Sequence, residues 1–208
     1  MNHHLRWAVG VVIVIGCMVP RHTVAAARNW SIAVCGPASD PRRLAVAEAV
    51  EFWNGELSAL NAKLSLGPIA DCDTVIPDDL LRRISDNVLN VGRGGGRLPR
   101  EFEKLRGDVI IALSGADLIS VGIPQASGRP GLVILRRADV EPLSLPNVAR
   151  NVVAHELGHV LGLPHGSDPA LLMCGRPAPC RPALFRSQTK SFFPLTKAER
   201  ESLARRFR

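Results

Sequence analysis

Three histidines and one glutamate fall within a single run, His155-Glu156-Leu157-Gly158-His159-Val160-Leu161-Gly162-Leu163-Pro164-His165. Imidazoles four positions apart on a helix stand on one face about a turn apart, so His155 and His159 can bind one zinc ion together. Glu156 then stands beside the metal without ligating it. A third imidazole from position 165 reaches the same point only if the helix stops. Gly162 can adopt the left-handed conformation that ends a helix, and Pro164 prevents its continuation. Three neutral imidazoles leave a fourth position open for water, which marks a catalytic rather than a closed structural site. Zinc lowers the pKa of such a water towards roughly 7, Glu156 accepts the proton, and the outcome is metal-assisted hydrolysis of an amide.

The spacing resembles the extended zinc motif of the metzincin metallopeptidases, His-Glu-x-x-His-x-x-Gly-x-x-His, at every fixed position. Gly166 to Met173 is similar to the stretch that leads to that family's Met-turn, with a matrixin-like distance from His165 to Met173. The resemblance implies that Met173 forms an apolar floor beneath the metal without binding it. It also implies an α+β, metzincin/zincin-like fold over residues 28–208: a twisted mixed sheet, a long backing helix, an active-site helix and a C-terminal helix. In that fold an edge strand above the cleft pairs with extended peptide, a role that falls here on Ser120, Val121, Gly122 and Ile123.

Departures from the family narrow the expectation. The chain has no Tyr, so the tyrosine ligand of astacin- and serralysin-like members is absent. Gly166 follows the third histidine where matrixins usually carry Ser. The remaining histidines, His3, His4 and His22, precede the fold, so a second His-rich zinc site is excluded. Ca2+ sites stay open, since backbone carbonyls and scattered Asp can supply them. Cys35-Gly36-Pro37 superficially resembles the matrixin cysteine switch, but Ala33-Val34 replaces the preceding Pro-Arg. With a first strand expected at Trp30, no pro-domain is expected ahead of it.

The elements that must position these residues follow from pattern. Trp30 to Val34 alternates apolar and polar residues and is expected to form the first strand. Asp40-Pro41 supplies an N-cap and an N1 proline for a long amphipathic helix with Leu44, Ala47, Val50, Trp53, Leu57, Leu60 and Leu64 on its apolar stripe. Asp78 to Leu89 is expected to be a shorter helix, and Gly92 to Arg97 a surface loop without P-loop or Gly-x-Gly-x-x-Gly spacing. Asp108 to Ser114 and Gly131 to Arg136 are expected as buried strands. Ile119 to Pro124 between them is a short edge strand, because Pro124 cannot donate to a ladder. Asn147 can cap a helix from about Val148 to Leu161, and Thr196-Lys-Ala-Glu199 is a capping box that opens a last basic helix through Arg208.

Residues 1–27 resemble a secretory leader: a short polar start, the apolar run Trp7 to Val19, and Ala25-Ala26-Ala27 as a cleavage site. The run is too short for a permanent span, which needs about 20 residues. Val14-Ile15-Gly16-Cys17 competes for the cut as a lipobox, in which Cys17 would carry a lipid and supply the one link to a membrane. Export to a periplasmic, cell-envelope or extracellular space suits the other cysteines, Cys35, Cys72, Cys174 and Cys180. Three pairings are open; proximity favours Cys174–Cys180, leaving Cys35–Cys72.

Loss of Arg6 and Arg21 with the leader leaves 24 Lys and Arg against 19 Asp and Glu, a diffuse net charge of +5. No basic run or RNA-binding aromatic motif accompanies it, so nucleic acid is not an expected partner. The expectation is an exported, monomeric zinc endopeptidase acting on protein or peptide. The alternative is an envelope-associated, non-catalytic binding module that keeps a structural zinc site, against which the intact Glu156 argues.

Overall fold

The computed structural model describes residues 27–91, 102, 104–126, 128–141, 143–175 and 181–208. The expected leader, its lipobox at Cys17, the Gly92 to Arg97 loop and Cys180 lie outside the described residues.

The chain runs β1 (Arg28–Cys35), α1 (Arg42–Ala59), β2 (Leu64–Cys72), α2 (Asp78–Val91), β3 (Val109–Leu113), β4 (Val121–Ile123), β5 (Gly131–Leu135), α3 (Pro146–Val160), a single 3-10 turn (Ala183–Arg186) and α4 (Lys197–Arg206). The strands form one mixed sheet in the order β2-β1-β3-β5-β4. β1, β2, β3 and β5 pair in parallel, and β4 runs antiparallel to β5 at the edge.

Parallel strands joined by helical crossovers are covered on both faces, and this sheet follows that rule. Ile32, Val34, Val109, Ile111, Val133 and Leu135 face α1 and α3, while Ala33, Cys35, Ile110, Ala112, Leu132 and Ile134 face α2. The alternation expected at Trp30 to Val34 is therefore between two apolar faces, not between core and water. β1 is also longer than that expectation, starting at Arg28 and ending at Cys35.

α1 departs from its expected stripe in register and length. Its buried face is Ala45, Val46, Ala49, Val50, Trp53 and Leu57, whereas Leu44 is 67% exposed. The helix stops at Ala59, and Asn61 takes a left-handed backbone (φ 52°), a conformation Asn tolerates better than most side chains. Leu64 consequently opens β2, a strand not expected from the sequence. Asp40 does act at the start of α1, where its Oδ1 accepts from the Arg42 backbone N–H at 2.9 Å.

α3 is the element that carries the motif, and it is tied down along its length. The Trp53 indole N–H donates to the Ala154 carbonyl at 2.9 Å, joining α1 to α3. Arg150 donates to Glu48 at 2.8 Å between the same two helices. Asn147 is not the cap of α3: the helix begins at Pro146, and Asn147 is buried in its first turn. Its amide donates to the Leu184 carbonyl at 2.9 Å and its oxygen accepts from the Ser191 N–H at 3.0 Å, which docks the C-terminal segment. That segment ends in α4, whose Thr196/Glu199 capping box is complete.

Candidate active site

His155 and His159 occupy one face of α3, as a four-residue step dictates. Leu161 ends the helix, and Gly162 at φ +93° turns the chain in the left-handed sense. The Leu163 N–H returns to the Gly158 carbonyl at 2.9 Å, a six-to-one bond of the Schellman type. A Cβ there would lie 2.2 Å from Arg206 Nη1, the mobile end of a side chain that can move aside, so it is the positive φ that reserves the position for glycine. Past Pro164 the chain delivers His165 to the same face.

The three imidazoles meet nitrogen to nitrogen. Nε2 of His159 lies 3.1 Å from that of His155 and 2.8 Å from that of His165, and the His155–His165 separation is 3.2 Å. The opposite ring nitrogens are engaged by backbone: His155 Nδ1 is 2.8 Å from the Leu172 carbonyl, and His159 Nδ1 is 2.8 Å from the Leu163 carbonyl. A carbonyl accepts only, so both Nδ1 atoms carry the proton and both Nε2 atoms present lone pairs.

Lone pairs aimed at one another are a favourable arrangement only around a cation. The triangle of nitrogens is small enough for one point to lie at the about 2.0–2.1 Å of a zinc–imidazole bond from all three. The donor set therefore fits a zinc ion. Burial and the neighbouring imidazoles push the His155 pKa down to about 3, which keeps it neutral as a ligand must be. His165 is exposed where the other two are half-buried, so solvent reaches the site from its side.

Glu156 points away from the shared nitrogen face by one helical step and is buried, 7% exposed. Burial raises its carboxyl to about 8, opposed by a hydrogen bond from the Gly122 backbone N–H. A dication nearby acts against the effect of burial, favouring the carboxylate.

Met173 is fully buried with its sulfur against Gly158 of α3, where a Cβ would come within 2.5 Å of it. The turn containing it is stapled to the third histidine: the Gly166 N–H donates to the Met173 carbonyl at 2.7 Å, and the Gly175 N–H to the Gly166 carbonyl at 3.0 Å. Val121 and Ile123 of β4 point into the α2 side of the core, Gly122 abuts α3, and Ser120 accepts from the Arg136 N–H at 3.2 Å.

Cys35 and Cys72, paired in register at the ends of β1 and β2, form a disulfide. Cys174, beside Met173, is buried. Among the described residues no helix is long and apolar enough to cross a membrane.

No protein-family model matches the chain, and no curated protein matches it. Among solved structures it is similar to archaemetzincin from Methanopyrus kandleri, with 17% identity, 90% of this chain and 98% of that chain covered, and a TM-score of 0.49.

Proposed function

We propose that this chain is a zinc-dependent endopeptidase of the metzincin type. The observation that carries the reading is the convergence of the His155, His159 and His165 Nε2 atoms, with both helical imidazoles held in the ligating tautomer and a buried carboxylate next in the chain. The histidines would hold the ion. When bound, zinc supplies Lewis acidity and a water of lowered pKa.

Glu156 takes a proton from the attacking water and returns it to the leaving amine, a role for which its burial suits it by raising its affinity for that proton. Gly122 orients this carboxylate through its backbone N–H. Met173 fills the space under α3 and keeps the turn carrying Leu172 close enough to hold His155. Strand β4, with β5 on one side only, offers its other edge to an extended peptide, and the substrate class proposed is therefore protein or peptide in an extended conformation. Export, by the leader over residues 1–27, accords with the Cys35–Cys72 disulfide, since such bonds persist in oxidising compartments.

The deciding experiment combines metal content with cleavage. Purified wild-type protein is expected to hold about one zinc per chain and to cut casein or an unstructured peptide library in a chelator-sensitive manner. Glu156→Ala is expected to keep the zinc and lose the cleavage. Zinc content near zero overturns the metal site, unchanged cleavage by Glu156→Ala overturns the base, and zinc without cleavage by either protein favours the binding-module alternative.

A further inference from the structure

Four consecutive or near-consecutive backbone carbonyls of the Met173 turn converge on one side chain. Arg181 Nη1 donates to the Leu171 carbonyl at 2.6 Å and to that of Pro169 at 3.2 Å, and Nη2 donates to Cys174 at 3.1 Å and Leu172 at 3.4 Å. The guanidinium carbon lies 5.2 Å from the ring centroids of both Phe185 and Phe193, which are themselves in contact, so the group rests against an aromatic pair. One of the four acceptors, the Leu172 carbonyl, is the group that binds His155 Nδ1 at 2.8 Å.

We propose that Arg181 is a positioning residue of the metal site, holding the Leu172 carbonyl where it keeps His155 in the Nδ1–H tautomer with its Nε2 lone pair on the shared point. The inference rests on the reading of the three histidines as a metal site. A planar fork with several fixed N–H vectors can bridge carbonyls from several residues at once; the compact ammonium of lysine cannot span them. The carbonyl that binds His159, from Leu163, belongs to the turn after α3 and receives nothing from Arg181. His159 is therefore an internal control.

The test uses metal-free and zinc-loaded full-length protein. In the metal-free wild type, long-range proton–nitrogen correlations of the imidazole rings are expected to show both His155 and His159 as Nδ1–H tautomers. In Arg181→Gln, His155 is expected to exchange between tautomers while His159 keeps its own. Zinc affinity, read by competition with a chromophoric chelator, is expected to fall about 10- to 100-fold, the range for loss of an outer-shell partner of a ligand. Arg181→Lys, which keeps a charge beside the two rings, gives an intermediate loss and covers the case in which Arg181→Gln does not fold. Arg200→Gln, at the Glu56 ion pair on α4, changes neither reading.

A His155 that stays wholly Nδ1–H in a folded Arg181 variant, with zinc affinity within twofold of wild type, overturns the proposal. So does a guanidinium that rotates freely in the wild-type protein itself. Wild-type protein that takes up no zinc sinks the metal-site reading and the role of Arg181 with it. Zinc bound by the wild type, with an affinity within twofold in a folded variant whose His155 stays Nδ1–H, sinks Arg181 alone.

Discussion

Gly122 of β4 lies against Glu156 of α3 so closely that a Cβ at Gly122 would sit 2.2 Å from the Glu156 carbonyl oxygen and 2.8 Å from His159 Cβ. Its backbone N–H also donates to the Glu156 carboxylate. Edge strand and histidine helix are thus in contact at the two residues either side of the site's chemistry. The obstacle to a larger residue is backbone, which cannot rotate aside. Gly122→Ala is expected to cost at least the 1–3 kcal/mol typical of overpacking and to lower cleavage by withdrawing the N–H from the carboxylate. Chemical denaturation beside a zinc assay checks this, and a variant as stable and as active as wild type would show that β4 is not pressed against α3.

Gly158 poses the same question with opposing terms. Within a helix, alanine is favoured over glycine by about 1 kcal/mol. Here a Cβ would meet Met173 Sδ at 2.5 Å, its methyl carbon at 3.0 Å and Trp53 at 3.1 Å. Met173 is flexible, but Trp53 is fully buried and fixed by its bond to Ala154. Overpacking is expected to win, so Gly158→Ala should lower the unfolding midpoint and displace Met173 from under the helix. A gain in stability would mean that the space beneath α3 is looser than these distances state.

The convergence of the three histidines was legible because their spacing is local: one helix, one glycine stop and one proline bring three imidazoles to one face. Strand β4 was legible for a similar reason, as Pro124 confines it to an edge. What stayed hidden depends on contacts distant in sequence. Leu172 and Leu163 act through backbone carbonyls, which have no side-chain signature, and Arg181 looks like any other surface arginine until the Met173 turn is folded over it. α1 differs in register from its leucine pattern because Leu44 fits a helical period yet faces solvent, while Ala45 and Ala49, small enough for close packing, are buried. Asn147 has the side chain of a cap, but Pro146 claims the first helical position and leaves the asparagine to bind the C-terminal segment.

The Cys35–Cys72 disulfide joins neighbouring strands across a sequence separation of 37. Chain-entropy bookkeeping for a loop of that size gives about 3–4 kcal/mol. Replacing both cysteines by alanine is expected to lower the unfolding free energy by about that amount. Zinc stoichiometry should not change, since the ligands sit on α3 and the turn after it. Equal denaturation midpoints for the oxidised wild type and the double variant would show that the crosslink contributes nothing.

Acid should weaken the fold through two carboxylates outside the histidine cluster. Burial alone would raise the pKa of Asp40, but hydrogen bonds and charge from Arg42 outweigh it and hold the carboxyl below its ordinary 3.8. Glu48 behaves alike: burial opposes, while Arg150 and then Lys190 hold it below 4.5. A folded pKa below the unfolded one means that folding favours the ionised form, so the stabilisation is complete above the unfolded values and is lost as pH falls through the folded ones. The contribution of these groups is therefore expected to be flat at neutral pH and to drop below about pH 4.5; it is read as the difference between wild type and Glu48→Gln in thermal unfolding of metal-free protein, because His155, held neutral with its pKa down to about 3, adds its own loss of stability below its ordinary 6.5 in both proteins. Glu48→Gln removes one of the two titrations and should flatten the acid limb while lowering stability at neutral pH, because Arg150 is then left buried beside a neutral partner. An acid limb of the same steepness in Glu48→Gln would assign the loss to other groups.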